Sequence, residues 1–549
     1  KLLRISDRAM TRNYHALQAG DIDIMQAFEP FVSMAEKNGA GEALYTSSTR
    51  GPTSYTAFIA THEGCVKYRD EFAAMTRATA KMLAWLYANP AEDFAKAVHP
   101  FFPDFSLDIL ASSLARYRTT YRTTSPAGLG HLTPCFPPAA SMPDAAFLSS
   151  LPRFNMYILW GLMLFALAAL VVAAVLAREI RSRHIGIWFR SWLKQDWRAE
   201  APEGAVKHLM FCFVDHYEPG WARPTYEVER ERVLRWKQGY PALCAKHRDA
   251  DGRPPVHTFF FPEEEYRPEH LDDLVDLCRM QLGEIEIHLH HDHDTEAGLR
   301  EKLQRFTRTL IDRHDALPVD PVTGQARWAF IHGNWALDNA HPDGFGCGVN
   351  NELIILREEG CYADYTLPAA PNPCQTVTIN QIYYAKDDPH APRSHDHGVP
   401  VRVGTPPSGD LMIIQGPLGF DFRNRKLGLM PRIENSDVRT NNPPTRERVD
   451  LWVQTGIHVK GRPEWIFVKV HTHGTQEPDM PTLLGPAMDD CFTHLETKYN
   501  CGQQWKLHYV SAREMYNIVK AAEAGLQGDP NLYRDHVIPR PAYAPRVNA

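Results

Sequence analysis

Glu284-Ile285-Glu286-Ile287-His288-Leu289-His290-His291-Asp292-His293-Asp294-Thr295 is the stretch whose reading decides the fold. Ile285, Ile287 and Leu289 fall on one face and Glu286, His288 and His290 on the other, which is the period of a β-strand. The pattern then breaks into His291-Asp292-His293-Asp294. Four histidines and two aspartates within seven positions are more than packing or a solvated loop calls for. Neutral imidazole and carboxylate are the donors that zinc and similar divalent ions take. A strand ending in such donors delivers them to the rim of a sheet or barrel, where α/β active sites lie.

Outward from this strand, apolar runs alternate with helical patterns. His208–Val214 reads as a buried strand ending in Asp215-His216-Tyr217-Glu218, and His257–Phe261 as one ending in Pro262-Glu263-Glu264-Glu265. Trp328–His332 ends in Gly333-Asn334-Trp335, Cys361–Leu367 is a fifth strand, and Trp465–His471 is a late one ending in His471-Thr472-His473. Helices are expected over 227–240, 268–280, 297–314 and 352–360. Such repeats imply parallel strands in a barrel or doubly wound sheet. Asp215 and His216, His288 and His290, His332, and His471 and His473 all close strands, and in a barrel those ends converge on one mouth.

With these residues in view, positions 205–520 resemble the polysaccharide deacetylase and glycoside hydrolase/deacetylase superfamily, whose members fold as irregular (β/α)7 barrels. Phe213-Val214-Asp215-His216 stands where that family has a paired Asp-Asp. Glu284–His288 matches the strand leading to its paired histidines, and Val468-Lys469-Val470-His471 matches its last histidine motif. Three departures stand out. His216 replaces the second acid, so the metal gains an imidazole for a carboxylate unless Asp215 is itself the ligand. Asp292, not histidine, lies four residues after His288, so the second imidazole comes from His290, His291 or His293, or Asp292 takes its place. The arginine-containing motif is not evident, and His332-Gly333-Asn334-Trp335 occupies its general place.

The resemblance implies metal-assisted deacetylation of an N-acetylated sugar. The expected metal set is His216, His288, His290, His293 and Asp292 around a divalent ion, most simply zinc, which keeps a position open for water. Asp215 is the expected base and His471 or His473 the acid. His332, Asn334, Trp335, Asp338 and Asp364 are the expected substrate contacts. Two alternatives stand beside this one. A metal-free glycosidase would need two carboxylates, Asp215 with Glu263, Glu264 or Asp364. A membrane-tethered carbohydrate-binding or assembly protein would need no catalysis.

Before the barrel lie four other segments. Residues 1–122 read as a small α/β lobe, with a helix closing at Gly20, strands at Ile22–Phe28 and Ser54–Thr61, a helix carrying Phe72, Met75, Met82, Leu83 and Leu86, and another from Leu107. Leu17-Gln18-Ala19-Gly20-Asp21-Ile22-Asp23 and Glu29-Pro30 resemble the second half of periplasmic solute-binding proteins of the nitrate, sulfonate and thiamine-precursor type, without the opening half. Residues 123–152 are a proline-rich linker. Met156–Ala177 carries no charge and is long enough to cross a hydrocarbon core of about 30 Å, so a transmembrane helix is expected over 153–177. Arg178, Arg181, Arg183, Arg190, Lys194 and Arg198 follow it, which puts the barrel on the cytoplasmic side of a bacterial-type inner membrane. Among those cations Ile187, Trp188, Phe189, Trp192, Leu193 and Trp197 mark 178–204 as a segment lying along the membrane surface.

The 549 residues exceed one core, and a net charge of −7 gives no field for nucleic acid. Ten scattered cysteines without a CxxC pair fit reduced thiols. The sequence opens at Lys1 without methionine, as expected of a processed chain or a fragment.

Overall fold

The computed structural model describes residues 10–19, 29–43, 91–102, 105–121, 177–196, 201–426 and 430–543, with isolated positions between 71 and 90. The chain divides into two compact units, residues 1–159 and 160–549.

In the first unit the described helices are Met10–Ala19, Phe31–Lys37, Ala91–Val98 and Leu107–Tyr121. The first ends just before Gly20, as expected, and the last starts at Leu107, as expected. The Glu29 carboxylate accepts from the Ser33 N–H (3.1 Å) and pairs with Arg116 (2.6 Å), tying two of these helices together. The strands expected at Ile22–Phe28 and Ser54–Thr61 and the linker 123–152 lie outside the described residues. So does the apolar run 156–177, apart from Ala177. Among the described residues no helix is long and apolar enough to cross a membrane.

The second unit is a mixed α/β fold on a curled, mostly parallel sheet. Its strands are β1 Lys207–His216, β2 His257–Pro262, β3 Gly283–Leu289, β4 Trp328–His332, β5 Cys361–Asp364, β6 Ile382–Ala385, β7 Gly398–Pro400 and β8 Leu411–Ile414, with β11 Trp465–Thr472 and β12 Trp505–Val510. A separate antiparallel hairpin is made by β9 Gly419–Lys426 and β10 Met430–Glu434. Parallel pairing runs in the order β11-β1-β2-β3-β4-β5-β8, and β6 and β7 extend it antiparallel. β11 takes one whole edge of β1. The other edge is shared, β12 pairing with Lys207–Cys212 and β2 with Phe213–His216.

Both faces of this sheet are covered, which is why the strands read as near-continuous apolar runs. Leu209, Phe211 and Phe213 of β1 share a core with Ile285, Ile287 and Leu289 of β3 beneath the helices Tyr226–Cys244, Pro268–Arg279 and Glu296–His314. The alternate residues Met210, Cys212 and Val214 pack on the other, inner face, against Met515, Ile518 and Val519 of the helix Ala512–Glu523. Ser511 and Glu514 close a capping box at the start of that helix, which is buried along nearly its whole length.

The closed (β/α)7 barrel expected from the sequence is a half-barrel. β8 and β11, the ends of the parallel run, share no ladder among the described residues. The buried Lys469 of β11 spans the gap instead, donating to the carbonyls of Tyr365 (2.8 Å) and Leu367 (2.5 Å). Gly416, just past β8, lies so close that a Cβ there would fall 2.4 Å from the Lys469 carbonyl. Burial holds Lys469 down to about 7. The helix Ile185–Leu193, expected to lie on the membrane surface, buries Ile185 and Trp188 against Ala370, Ile379 and Leu418 of this unit.

Candidate metal and catalytic site

Side-chain alternation sorts the strand-end residues into two groups. On β1, Asp215 shares the face of Phe211 and Phe213, and His216 shares that of Met210 and Val214. They therefore part company. Asp215 is fully buried and accepts from the Gly474 N–H (2.6 Å) and from His257 Nε2 (2.9 Å). It supports the turn after β11. His216 turns inward, where its ring stacks on His473 (centroids 4.6 Å) and meets His288 edge-on (4.9 Å).

Glu218, two residues past His216, is the acid of this inner group, and nothing in the strand pattern singled it out. Its Oε1 lies 3.1 Å from His288 Nε2 and 3.3 Å from His290 Nε2. The far nitrogen of each ring is already committed. His288 Nδ1 lies 2.9 Å from the Ile331 carbonyl, which can only accept, so Nδ1 donates there and Nε2 is the nitrogen turned to Glu218. His290 Nδ1 contacts the Glu264 carboxylate, which also accepts from the His290 N–H (3.1 Å). Two imidazoles steered in this way toward one carboxylate form the ligand arrangement of a 2-His-1-carboxylate centre with its supporting shell.

The electrostatics agree. Burial opposes the Glu218 charge, but the bonds to His288 and His290 hold its carboxyl far below the usual range. Burial also opposes charge on His290, yet Glu218 and Glu264 carry it up to about 10, so a proton occupies this place in the free protein. His216 is fully buried with neither ring nitrogen hydrogen-bonded. Burial, then the neighbouring imidazoles, hold it well below its usual value. Uncharged and unsatisfied, it has a lone pair to offer. Glu218, His288 and His290 place ligand atoms within 4.8 Å of one another, and so do His216, Glu218 and His473. The residues present fit a divalent cation.

His473 is different in kind. Its Nδ1 accepts from the Arg439 guanidinium, which can only donate, so in the neutral ring Nε2 carries the proton. Burial holds His473 down to about 3. It is therefore a hydrogen-bond donor rather than a lone-pair donor. His471 lies deeper, its Nδ1 unpaired and its Nε2 3.8 Å from Asp437. Trp335, in a left-handed backbone conformation (φ 56°), sets its ring against His216 and His473, at 5.7 Å from each. It walls the inner group.

Several expected residues lie elsewhere. Asp292 and His293 pair with each other at 2.9 Å on the surface, the His293 side chain 86% exposed, and neither joins the inner group. The two ends of the carboxylate pair for a metal-free glycosidase are likewise apart in kind: Glu263 is engaged by Arg305 (2.6 Å), Glu264 by His290, and Asp215 by Gly474 and His257. Asp364 is buried at the end of β5 on Thr366, and burial pushes it up to about 7.

His332 faces the outer helices, with His291, in a second polar group. His291 Nε2 lies 2.9 Å from Glu352 Oε1, and the other Glu352 oxygen accepts from the Asp338 N–H at 2.6 Å. Glu352 and Asp294 hold His291 up to about 9 against the effect of burial. His332 Nδ1 accepts from the Asn334 N–H (3.1 Å), so its Nε2 carries the proton and lies 3.9 Å from Glu352. Asn334 also reaches the His291 carbonyl (3.5 Å), and the Asp338 carboxylate takes the Ser394 N–H (2.6 Å). The three ligand atoms of His291, His332 and Glu352 lie within reach of a single ion, but His332 offers a proton there and His291 is held charged between Glu352 and Asp294. A third grouping, His208, His508 and Asp529, sits toward the start of β1 rather than at the strand ends that carry the inner group.

No family profile matches the chain. A Bacillus subtilis (strain 168) protein named "Putative binding protein YtlA" is 30% identical over 105 residues, 19% of this chain and 31% of that protein. The similarity is weak and partial, and the chain spans about a third of that relative's length.

Proposed function

We propose that this chain is a membrane-anchored, metal-dependent hydrolase that removes acetyl groups from an N-acetylated sugar or a polysaccharide precursor. The observation that carries the reading is the convergence of His288 Nε2 and His290 Nε2 on Glu218, each ring held by a fixed acceptor on its far side. A parallel run of strands whose ends supply His216, His288 and His473 supports the likeness to the deacetylase barrel. The barrel's place at the cytoplasmic face, and a lipid-linked or nucleotide-linked sugar as substrate, follow from the charge bias after residue 177 and belong to the same proposal.

Glu218, His288 and His290 would hold the ion, with His216 beside them. A divalent ion there would polarise the acetyl carbonyl and acidify a bound water. His216, uncharged with both nitrogens free, can take the water's proton. The His473 Nε2–H, fixed by Arg439, can hydrogen-bond to the departing amine, which would take the proton that His216 removed from the water. Trp335 gives a sugar ring a face to lie on. The base thus passes from Asp215, which the sequence suggested, to a group on the inner face.

The test is elemental analysis of the purified full chain, with acetate release from N-acetylated oligosaccharides. About one divalent ion per chain, lost together with activity in His288→Ala/His290→Ala, is expected. No metal after reloading with zinc, cobalt or nickel would sink it. The Leu17–Asp23 motif, beside the similarity of part of the chain to a protein named as a putative binding protein, favours a second reading in which residues 1–122 bind a small solute. Titration calorimetry of the full chain with nitrate, sulfonates and pyrimidine precursors would decide it, and an absence of heat with all of them would count against it.

A further inference from the structure

The helix Ile185–Leu193 and the hairpin β9–β10 meet in an aromatic strip that the core does not consume. Trp188 and Trp192 both lie 4.9 Å from Phe420, Phe189 stacks on Trp192 at 6.0 Å, and Phe422 lies 6.2 Å from Trp192. Trp188 is wholly buried, but the strip emerges at its far side. Phe189 is 39% exposed, Phe422 50% and Leu193 58%. Contiguous exposed aromatic surface of this kind marks an interaction face.

Cations ring it. Arg190 and Lys194 on the helix and Arg423, Arg425 and Arg432 on the hairpin are exposed. Among the described residues none of the five forms an ion pair, while elsewhere in this unit arginines are extensively paired. The nearby hairpin acid, Asp421, is buried and accepts from the Arg423 and Asn424 N–H groups (3.0 and 3.2 Å). Glu434 is buried against Arg448. An apolar strip set among unpaired cations is complementary to a surface that is apolar beneath and anionic above. The uncharged run Met156–Ala177 ends just before this helix in sequence.

We propose that helix 185–193 and the strands β9 and β10 together form a platform that seats this unit on an anionic lipid surface, with Phe189, Leu193 and Phe422 at the acyl boundary and the five cations among the headgroups. The hairpin leads straight into the site wall. Just past β10, the Ser436 carbonyl accepts from the His471 N–H (3.0 Å), and Arg439 fixes His473. Seating the hairpin therefore places that wall near the headgroups, where a lipid-linked substrate would lie.

Hydrogen exchange read by mass spectrometry on the full chain with lipid nanodiscs tests the platform without reading activity, so its failure is separable from that of the hydrolase. In discs with roughly one anionic lipid in three, exchange across 185–194, 419–426 and 430–434 should slow by about tenfold or more relative to phosphatidylcholine discs. Arg423→Glu/Arg425→Glu/Arg432→Glu should abolish the difference while β1–β3 peptides keep their exchange. Phe422→Ser, which leaves the charge intact, should reduce it. Equal exchange in both kinds of disc would overturn the proposal. So would slowing already present in detergent that grows with protein concentration, since a second copy of the chain would then be the occupant.

Discussion

Truncating His288 and His332 separately asks which of two histidine–carboxylate groups takes the metal. Both rings are wholly buried, so the cavities left behind are alike. They differ in where the proton sits. The Ile331 carbonyl fixes the His288 proton on Nδ1 and leaves Nε2 open toward Glu218; the Asn334 N–H takes the His332 lone pair and leaves Nε2 protonated toward Glu352. Protein zinc sites bind with about 10–16 kcal/mol, and four ligands sharing that give about 3 kcal/mol each. His288→Ala should therefore weaken metal binding about a hundredfold, and His332→Ala should change it by no more than a few-fold. Competition with a chromogenic chelator on the full chain measures both, with urea unfolding as a check that each variant is folded. A His332→Ala variant that loses metal, beside a His288→Ala variant that keeps it, would refute the assignment of protons on which the site rests.

Three further outcomes follow from particular contacts. A Cβ on Gly333 would fall 2.3 Å from the His290 ring, so Gly333→Ala should displace that imidazole and weaken metal binding by about 10–100-fold, measured by the same competition. Asp215→Asn should lower stability by about 2–4 kcal/mol in urea unfolding, because it disturbs a buried carboxylate held by Gly474 and His257, yet leave one metal per chain; loss of metal would return Asp215 to the site. His270 is buried with neither nitrogen bonded, and burial holds it down to about 4. Above pH ~6.5 it is neutral in both folded and unfolded chains and costs nothing. As pH falls toward 4 only the unfolded chain takes up the proton, so stability drops by up to about 3 kcal/mol. His270→Leu should lack that loss, and parallel acid curves for the two proteins would contradict it.

The order of strands and helices in the second unit was legible because each strand is a short apolar run closed by polar residues, as in Trp328–His332, whose limits match the ladder. Alternation within β3 was legible too: Ile285, Ile287 and Leu289 lie in the outer core, and Glu284, Glu286 and His288 on the inner face. The same rule applied to β1 separates Asp215 from His216, and applied past β3 separates His290 from His291. Proximity in sequence concealed that division. Glu218, Glu264, Glu352 and Arg439 were not legible as partners, since each comes from a loop or helix whose approach depends on the curl of the sheet. The open seam was hidden for a related reason. Val468-Lys469-Val470 reads as an ordinary strand interior, and only the fold shows that Lys469 stands in for the missing ladder.

The two histidine groups are one mechanical system. His291 and Glu352 form a charged pair, and Glu352 also holds the Asp338 N–H, so the turn after β4 has little freedom. That turn begins with His332, whose Nδ1 takes the Asn334 N–H and whose carbonyl takes the Trp335 N–H (3.1 Å). Trp335 is thereby set in its left-handed conformation with its ring against His216 and His473. Gly333, in the same turn, has no side chain and leaves the space that the His290 ring fills. Held in this way, the outer group gives the inner imidazoles a rigid support. The position of His290 and His291 side by side on the chain follows from this: one residue supplies the site, and the next anchors the frame that shapes it.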